Sequence, residues 1–113
     1  MHEMSIAMSV AQIVVERARE EGASKALSVT VEVGELSGVT PEALEFCYEA
    51  AVMGGLAEGS RLVIKRVPAV AVCGECGETF APNERIFVCP KCEGFTASLK
   101  SGEELAVIEI EVE

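Results

Sequence analysis

The chain has 113 residues, half of them hydrophobic, with 9 basic against 19 acidic side chains and a formal charge of -10. That is room for one modest core, and too apolar for a disordered chain. The negative field repels phosphate backbones, and no apolar run approaches the roughly 20 residues that cross a bilayer, so neither nucleic acid nor membrane is an expected partner.

Residues 4–21 read as an amphipathic helix. Ile6, Val10, Ile13 and Val14, with Arg17 at the end of the stripe, follow the 3.6-residue period, while Glu16, Arg19 and Glu20 face away. The stretch has no basic leader, and Glu3 and Glu16 interrupt it, so it does not read as a signal peptide. Strict alternation follows: Leu27, Val29, Val31 and Val33 point one way and Ser28, Thr30 and Glu32 the other, as in a half-buried strand. After the loop Gly34-Glu35-Leu36-Ser37-Gly38, Thr40 is placed to cap a second helix, with Pro41 at its first position and Glu42 in its first turn. Its apolar stripe is Leu44, Cys47, Tyr48 and Ala51, with Cys47 a small buried hydrophobe. Its acidic face is Glu42, Glu45 and Glu49, a solvated surface or a dock for a basic partner. Residues 61–67 form a second strand that Pro68 ends, and in the last strand Ala106, Ile108, Ile110 and Val112 alternate with Val107, Glu109, Glu111 and Glu113.

Between these strands lie Cys73-Gly74-Glu75-Cys76 and Cys89-Pro90-Lys91-Cys92, two C-x-x-C pairs twelve residues apart. Four thiolates at this spacing can close a tetrahedron on one soft divalent ion, with zinc the default and rubredoxin-like iron the nearer competitor. Two disulfides or four buried thiols are the metal-free alternatives. Gly74 and Gly77 in the first knuckle, and Pro90 and Gly94 around the second, are expected to make the turns. A closed four-sulfur site leaves no open position, so it reads as structural, and the short lobe of residues 69–101 needs metal to fold. Thiolates on a metal suit a reducing cytoplasm.

The order α-β-α-β, metal lobe, β implies an α+β fold: a two-layer sandwich of two helices on a three-stranded sheet, with a zinc-ribbon-like lobe inserted before the last strand. The expected domains are residues 1–68 plus 102–113, and residues 69–101.

His2 is the one histidine of the chain. A histidine there is ordinarily part of a frayed terminus. This terminus nevertheless holds a chelating set. The free amine of Met1, the backbone nitrogen of His2 and its Nδ1 can close fused five- and six-membered rings, with the Glu3 backbone nitrogen or carboxylate as a fourth ligand. A planar, nitrogen-rich set favours Ni(II) or Cu(II) over Zn(II). There is no nucleophile–base pairing beyond what His2 could serve and no phosphate-cradling loop, so an enzyme is not expected.

Met1-His2-Glu3 opening a helix, Val31-Glu32-Val33-Gly34-Glu35-Leu36-Ser37-Gly38-Val39, the two C-x-x-C pairs and a short acidic last strand together resemble the HypA/HybF nickel metallochaperones over essentially the whole chain. The resemblance implies insertion of nickel into NiFe-hydrogenase, in some organisms also urease, with a HypB-type GTPase and the hydrogenase large subunit as partners. It implies Ni(II) as cargo on His2, with Met1 and Glu3 assisting, and structural Zn(II) on Cys73, Cys76, Cys89 and Cys92. Two departures stand out. The second knuckle reads Cys-Pro-Lys-Cys-Glu-Gly, where many members have glycine directly after the last cysteine. The lobe also lacks the extra histidines that some members carry. The alternative reading is a small zinc-ribbon adaptor that binds protein through its acidic surface and has no nickel function.

Overall fold

The computed structural model describes residues 2–83 and 86–113. Two helices, α1 (Glu3–Glu20) and α2 (Pro41–Ala51), and six strands follow in the order α1-β1-α2-β2-β3-β4-β5-β6. The strands are β1 (Ala26–Gly34), β2 (Arg61–Val67), β3 (Val70–Val72), β4 (Thr79–Phe80), β5 (Ser98–Ser101) and β6 (Leu105–Val112). They form two three-stranded sheets, ordered β2-β1-β6 and β4-β3-β5, so the α+β class expected from the sequence holds. No described helix is long and apolar enough to cross a membrane.

The chain divides into two compact units. The first comprises Met1–Glu32, Val39–Lys65 and Ala106–Glu113. In it α1 packs on α2. The buried seam of α1 is Ala7, Val10, Ala11, Val14 and Ala18, at helical spacing. The stripe expected around Ile6 and Ile13 is therefore rotated, and Ile13 is left 44% exposed. Bulk marked the wrong face: interaxial distance depends on the side chains at the contact, and three alanines permit a close approach. On α2, Leu44 and Tyr48 are buried, while Cys47, expected to be buried, is only half-buried. The Tyr48 hydroxyl lies 2.7 Å from Ser60 Oγ, which satisfies the phenol that burial pushes up in pKa.

Along β1, Val29, Val31 and Val33 are buried as expected. Leu27 is not. Ala26 takes the inward place, with its N–H donated to the Leu56 carbonyl at 3.1 Å. The expected apolar face of β6 is only partly covered: none of its residues is buried, and Ile108 is 47% exposed. The physical reason is position, since β6 lies at the edge of its sheet with β1 as its one neighbour.

The second unit comprises Val33–Gly38 and Arg66–Leu105. Its sheet, β4-β3-β5, is antiparallel, with Ala71 opposite Phe80 and Leu99. The Gly34–Gly38 loop is tied down by backbone bonds, Glu35 N–H to Val67 O at 2.9 Å and Leu36 N–H to Gly102 O at 2.6 Å. The Glu35 carboxylate accepts the Ala69 N–H at 2.8 Å. Gly34 and Gly102 meet backbone to backbone. A Cβ on Gly34 would run into the Gly102 carbonyl and the Glu103 nitrogen, and Gly102 itself has a φ of 121°.

Candidate metal centre

Each cysteine pair sits in the same kind of turn. Cys73 starts the first, where the N–H groups of Glu75 and Cys76 point at its sulfur from 3.4 and 3.5 Å, and Gly77 N–H closes on the Cys73 carbonyl at 3.1 Å. Cys89 starts the second, with Lys91 and Cys92 N–H both 3.4 Å from its sulfur and Glu93 N–H 2.9 Å from its carbonyl. Such a turn brings its last residue to a left-handed backbone. Gly77 takes it at φ 78°, and Glu93 takes the equivalent place at φ 62°. Among the described non-glycine residues, Glu93 has the positive φ, so the departure noted in the second knuckle is a strained residue in glycine's place. Gly74 and Gly94 serve differently from expectation: they admit close neighbours. A Cβ on Gly74 would lie 2.6 Å from the Thr96 carbonyl, and one on Gly94 would strike the Glu75 carboxylate.

The two turns bring four sulfurs together, all within 4.8 Å of one another. Cys73 and Cys92, and Cys76 and Cys89, are 3.6 Å apart. A zinc tetrahedron with bonds of about 2.3 Å has sulfur–sulfur edges of about 3.8 Å. A disulfide would need about 2.05 Å, and all five cysteines are free thiols. The cluster therefore fits a structural zinc ion. Cys73 and Cys89 are buried beneath it, and Cys76 and Cys92 face outward.

The thiols differ in acidity. The N–H groups of Cys76 and Glu75 hold the Cys73 thiol down to about 7. Cys89 is likewise lowered, first by the Cys92 N–H. For Cys92 the Gly94 N–H favours the thiolate, but the Cys73 sulfur, burial and the other two sulfurs outweigh it and push the thiol up to about 12. Cys76 is raised in the same way: the Glu78 N–H is outweighed by burial and by the sulfurs of Cys89 and Cys73. Four thiolates cannot stand together without a cation, and a zinc ion supplies it.

Two supporting residues were not legible in the sequence. Glu75 reaches from the first knuckle to the second, where its carboxylate accepts from Thr96 Oγ1 at 3.4 Å. A carboxylate inside a C-x-x-C pair is a weak hint of such a bridge.

The N-terminal residues stand elsewhere, in the first unit. His2 is exposed and occupies the N-cap position of α1 with φ -116°. Its carbonyl accepts Ser5 Oγ–H and Ile6 N–H, each at 3.0 Å, which leaves the imidazole free of that duty. Glu3 begins the helix, and its carboxylate accepts the Thr40 N–H at 3.1 Å. Thr40 thus caps α2 by position without a side-chain bond, the role expected of its hydroxyl. The Thr40 N–H, then Glu3's own N–H, holds the Glu3 carboxyl below its ordinary value. Met1 lies outside the described residues.

The family model described as "Hydrogenase/urease nickel incorporation, metallochaperone, hypA" matches residues 1–112. The hydrogenase maturation factor HypA of Geobacter sulfurreducens is 49% identical over 113 residues, covering 100% of both chains. That of Chlorobaculum parvum is 48% identical over the same span and coverage. The solution structure of the nickel metallochaperone HypA from Helicobacter pylori superposes with a TM-score of 0.66 at 26% identity, covering 99% of this chain and 97% of that one. A second HypA solution structure gives 0.73 at 25% identity, covering 99% and 96%. A family match over nearly every residue, joined to a four-sulfur site of zinc dimensions, makes this chain a member of the HypA family of hydrogenase-maturation metallochaperones, which are metal carriers and not enzymes.

Proposed function

We propose that the chain binds Ni(II) at its N-terminus through His2, with Met1 and Glu3 assisting, and delivers it to NiFe-hydrogenase during maturation. The observation that carries this reading is the placement of the sole imidazole at the N-cap of α1, exposed and beside the chain start. The electrostatics of that place select the ligand chemistry. A helix start carries roughly half a positive charge, which opposes a divalent cation. A neutral amine and imidazole do not offset it. Backbone nitrogens of His2 and Glu3 that lose their protons on binding do, and anionic nitrogens suit the planar preference of Ni(II). Because the Glu3 carboxylate already accepts the Thr40 N–H, the share of Glu3 in the ligand set is its backbone nitrogen.

In this reading the nickel domain is residues 1–68 plus 102–113, its helices laid on the sheet as a two-layer sandwich. Residues 69–101 form the zinc domain on Cys73, Cys76, Cys89 and Cys92. A HypB-type GTPase and the hydrogenase large subunit are the proposed partners, with urease a second recipient in organisms that make it. The exposed Glu42, Glu45 and Glu49 offer the GTPase an acidic face. Thiolates held for zinc suit the cytoplasm.

The test is calorimetric nickel titration of three zinc-loaded proteins: untagged, extended by one residue before Met1, and His2→Ala. Extension turns the terminal amine into an amide and moves the imidazole one place along the chain, so both altered proteins are expected to lose nickel while zinc stays. Equal nickel affinity in all three would remove the N-terminus as the site. No nickel binding by the untagged protein would favour the adaptor.

A further inference from the structure

The edge of the first sheet has a chemistry that neither metal site uses. Strand β6 has β1 on one side only. Backbone bonds fix its span against β1 at both ends, Gly34 N–H to Glu104 O at 2.7 Å and Glu113 N–H to Lys25 O at 3.0 Å. Its outer edge therefore presents backbone groups that a further strand can pair. Beside it runs a groove between α1 and β6, lined by Ile13, Arg17, Ile108, Glu109, Ile110 and Val112. Ile13 and Ile108 are 44% and 47% exposed there.

Alternation along the strand sorts the side chains. Ile108, Ile110 and Val112 share one face, and Glu109, Glu111 and Glu113 the other. Ser28 Oγ, 3.4 Å from the Glu111 carboxylate, holds Glu111 on its face. This pattern chooses among occupants. A second copy would pair β6 with β6 about a two-fold axis. An axis at residue 109, 111 or 113 puts a glutamate opposite itself. An axis at 110 or 112 puts Glu109 opposite Glu111, or Glu111 opposite Glu113, whereas an axis at 107 or 108 sets Glu109 opposite Leu105 or Val107 and no cation. Like charges directly opposite are destabilising. Self-pairing thus leaves the three glutamates facing one another or facing no cation, whereas a strand with cations at those places offsets all three.

We propose that β6 is a docking edge for an extended segment of a partner protein in which apolar residues alternate with lysine or arginine. The segment adds as a fourth strand. Its apolar side chains lie over Ile108, Ile110 and Val112 toward the groove, and its cations lie against Glu109, Glu111 and Glu113. Main-chain bonds supply the affinity, and the alternate side chains set the specificity.

The probe is an alternating lysine–valine octapeptide, blocked at both ends, with a glutamate–valine octapeptide as its control. Each is added to the zinc-loaded full chain while amide exchange is followed by NMR. In the free protein alternate β6 amides exchange fast, because only every second one faces β1. The lysine peptide is expected to slow those fast amides, and the glutamate peptide to leave them unchanged. Glu109→Lys with Glu111→Lys should weaken the lysine peptide by about tenfold or more and admit the glutamate peptide. Ile13→Lys, on the helix side, should weaken it without altering the sheet. The proposal is overturned if the lysine peptide fails to bind at millimolar concentration, if it binds the reversed variant equally well, or if it protects amides elsewhere. Concentration-dependent dimerisation that protects β6 amides overturns it too, by making a second copy the occupant.

Discussion

Cys76→Ser is expected to unfold the cysteine lobe while leaving the helical unit intact. The magnitude follows from what the lobe buries. Across residues 69–101 the described buried apolar side chains are Ala69, Ala71, Cys73 and Cys89. The two alanine methyl groups contribute roughly 1.5 kcal/mol, and the half-buried Val70, Val72, Phe80, Phe87 and Leu99 roughly 1 kcal/mol each, before the entropy of ordering the lobe is set against them. A structural zinc site contributes on the order of 10 kcal/mol. Strands β3, β4 and β5 are short, and the strand pairs they make cannot replace that term. The helical unit has its own core in Val10, Val14, Val29, Val31, Leu44 and Tyr48. Hydrogen-exchange mass spectrometry on zinc-loaded wild type, chelator-treated wild type and Cys76→Ser checks this. Both zinc-poor samples should lose protection across 69–101 and keep it in α1, α2 and β1. A lobe that retains full protection without metal would refute the reasoning, because its core would then be doing what the metal was assigned.

Three further outcomes follow from the same geometry. Glu93→Gly should stabilise the zinc-bound lobe by about 0.5–1 kcal/mol, the relief of a left-handed non-glycine residue less the greater freedom of glycine when unfolded, read by urea denaturation. Gly34→Ala should lower stability by roughly 3 kcal/mol or more, since its methyl would meet the Gly102 backbone, which has no flexible end to yield; thermal unfolding measures it. Zinc affinity should fall by about a hundredfold per pH unit on acidification near neutrality: with Cys92 pushed up to about 12 and Cys76 also raised, the metal must expel at least these two protons, and competition with a chelator of known affinity shows the slope.

What the sequence made legible was local chemistry. The C-x-x-C spacing specifies a turn whose N–H groups aim at a sulfur, and the four cysteines do converge. Pro41 does open α2, and β2 runs over residues 61–67 as read, because a proline and a bounded apolar run act on their own segment. What was hidden depended on partners far along the chain. The buried seam of α1 is marked by alanines, which hydrophobic bulk does not reveal. The second sheet is built from strands of two to four residues, too short to show a period. The Glu3 contact spans 37 positions and rests on a backbone N–H, which no residue type announces.

That contact bears on what Glu3 does at the proposed nickel site. Its carboxylate sits in the first turn of α1 and accepts the N–H of Thr40, at the start of α2. A negative group is favoured at a helix start, and here one group serves two. Glutamine keeps a carbonyl that can accept the same N–H but loses the charge, whereas alanine loses both. If Glu3 gives the metal its backbone nitrogen, Glu3→Gln should hold nickel within about twofold of wild type. Glu3→Ala should weaken it by about tenfold, because the unanchored terminus frays and the ligands lose their arrangement. The pH profile separates anchoring from ligation. The folded carboxyl lies below its ordinary value, so its stabilisation is complete above that ordinary value and is lost as pH falls through the folded one. Wild type alone should therefore show its terminal amides loosening in the acid range, while wild type and Glu3→Gln lose nickel in parallel as protons compete with the metal for its ligands. Calorimetry on the three zinc-loaded proteins, with amide exchange followed by NMR, reads both effects. A Glu3→Gln protein as poor in nickel as Glu3→Ala would mean that the carboxylate itself is a ligand and that the Thr40 bond gives way when the metal arrives.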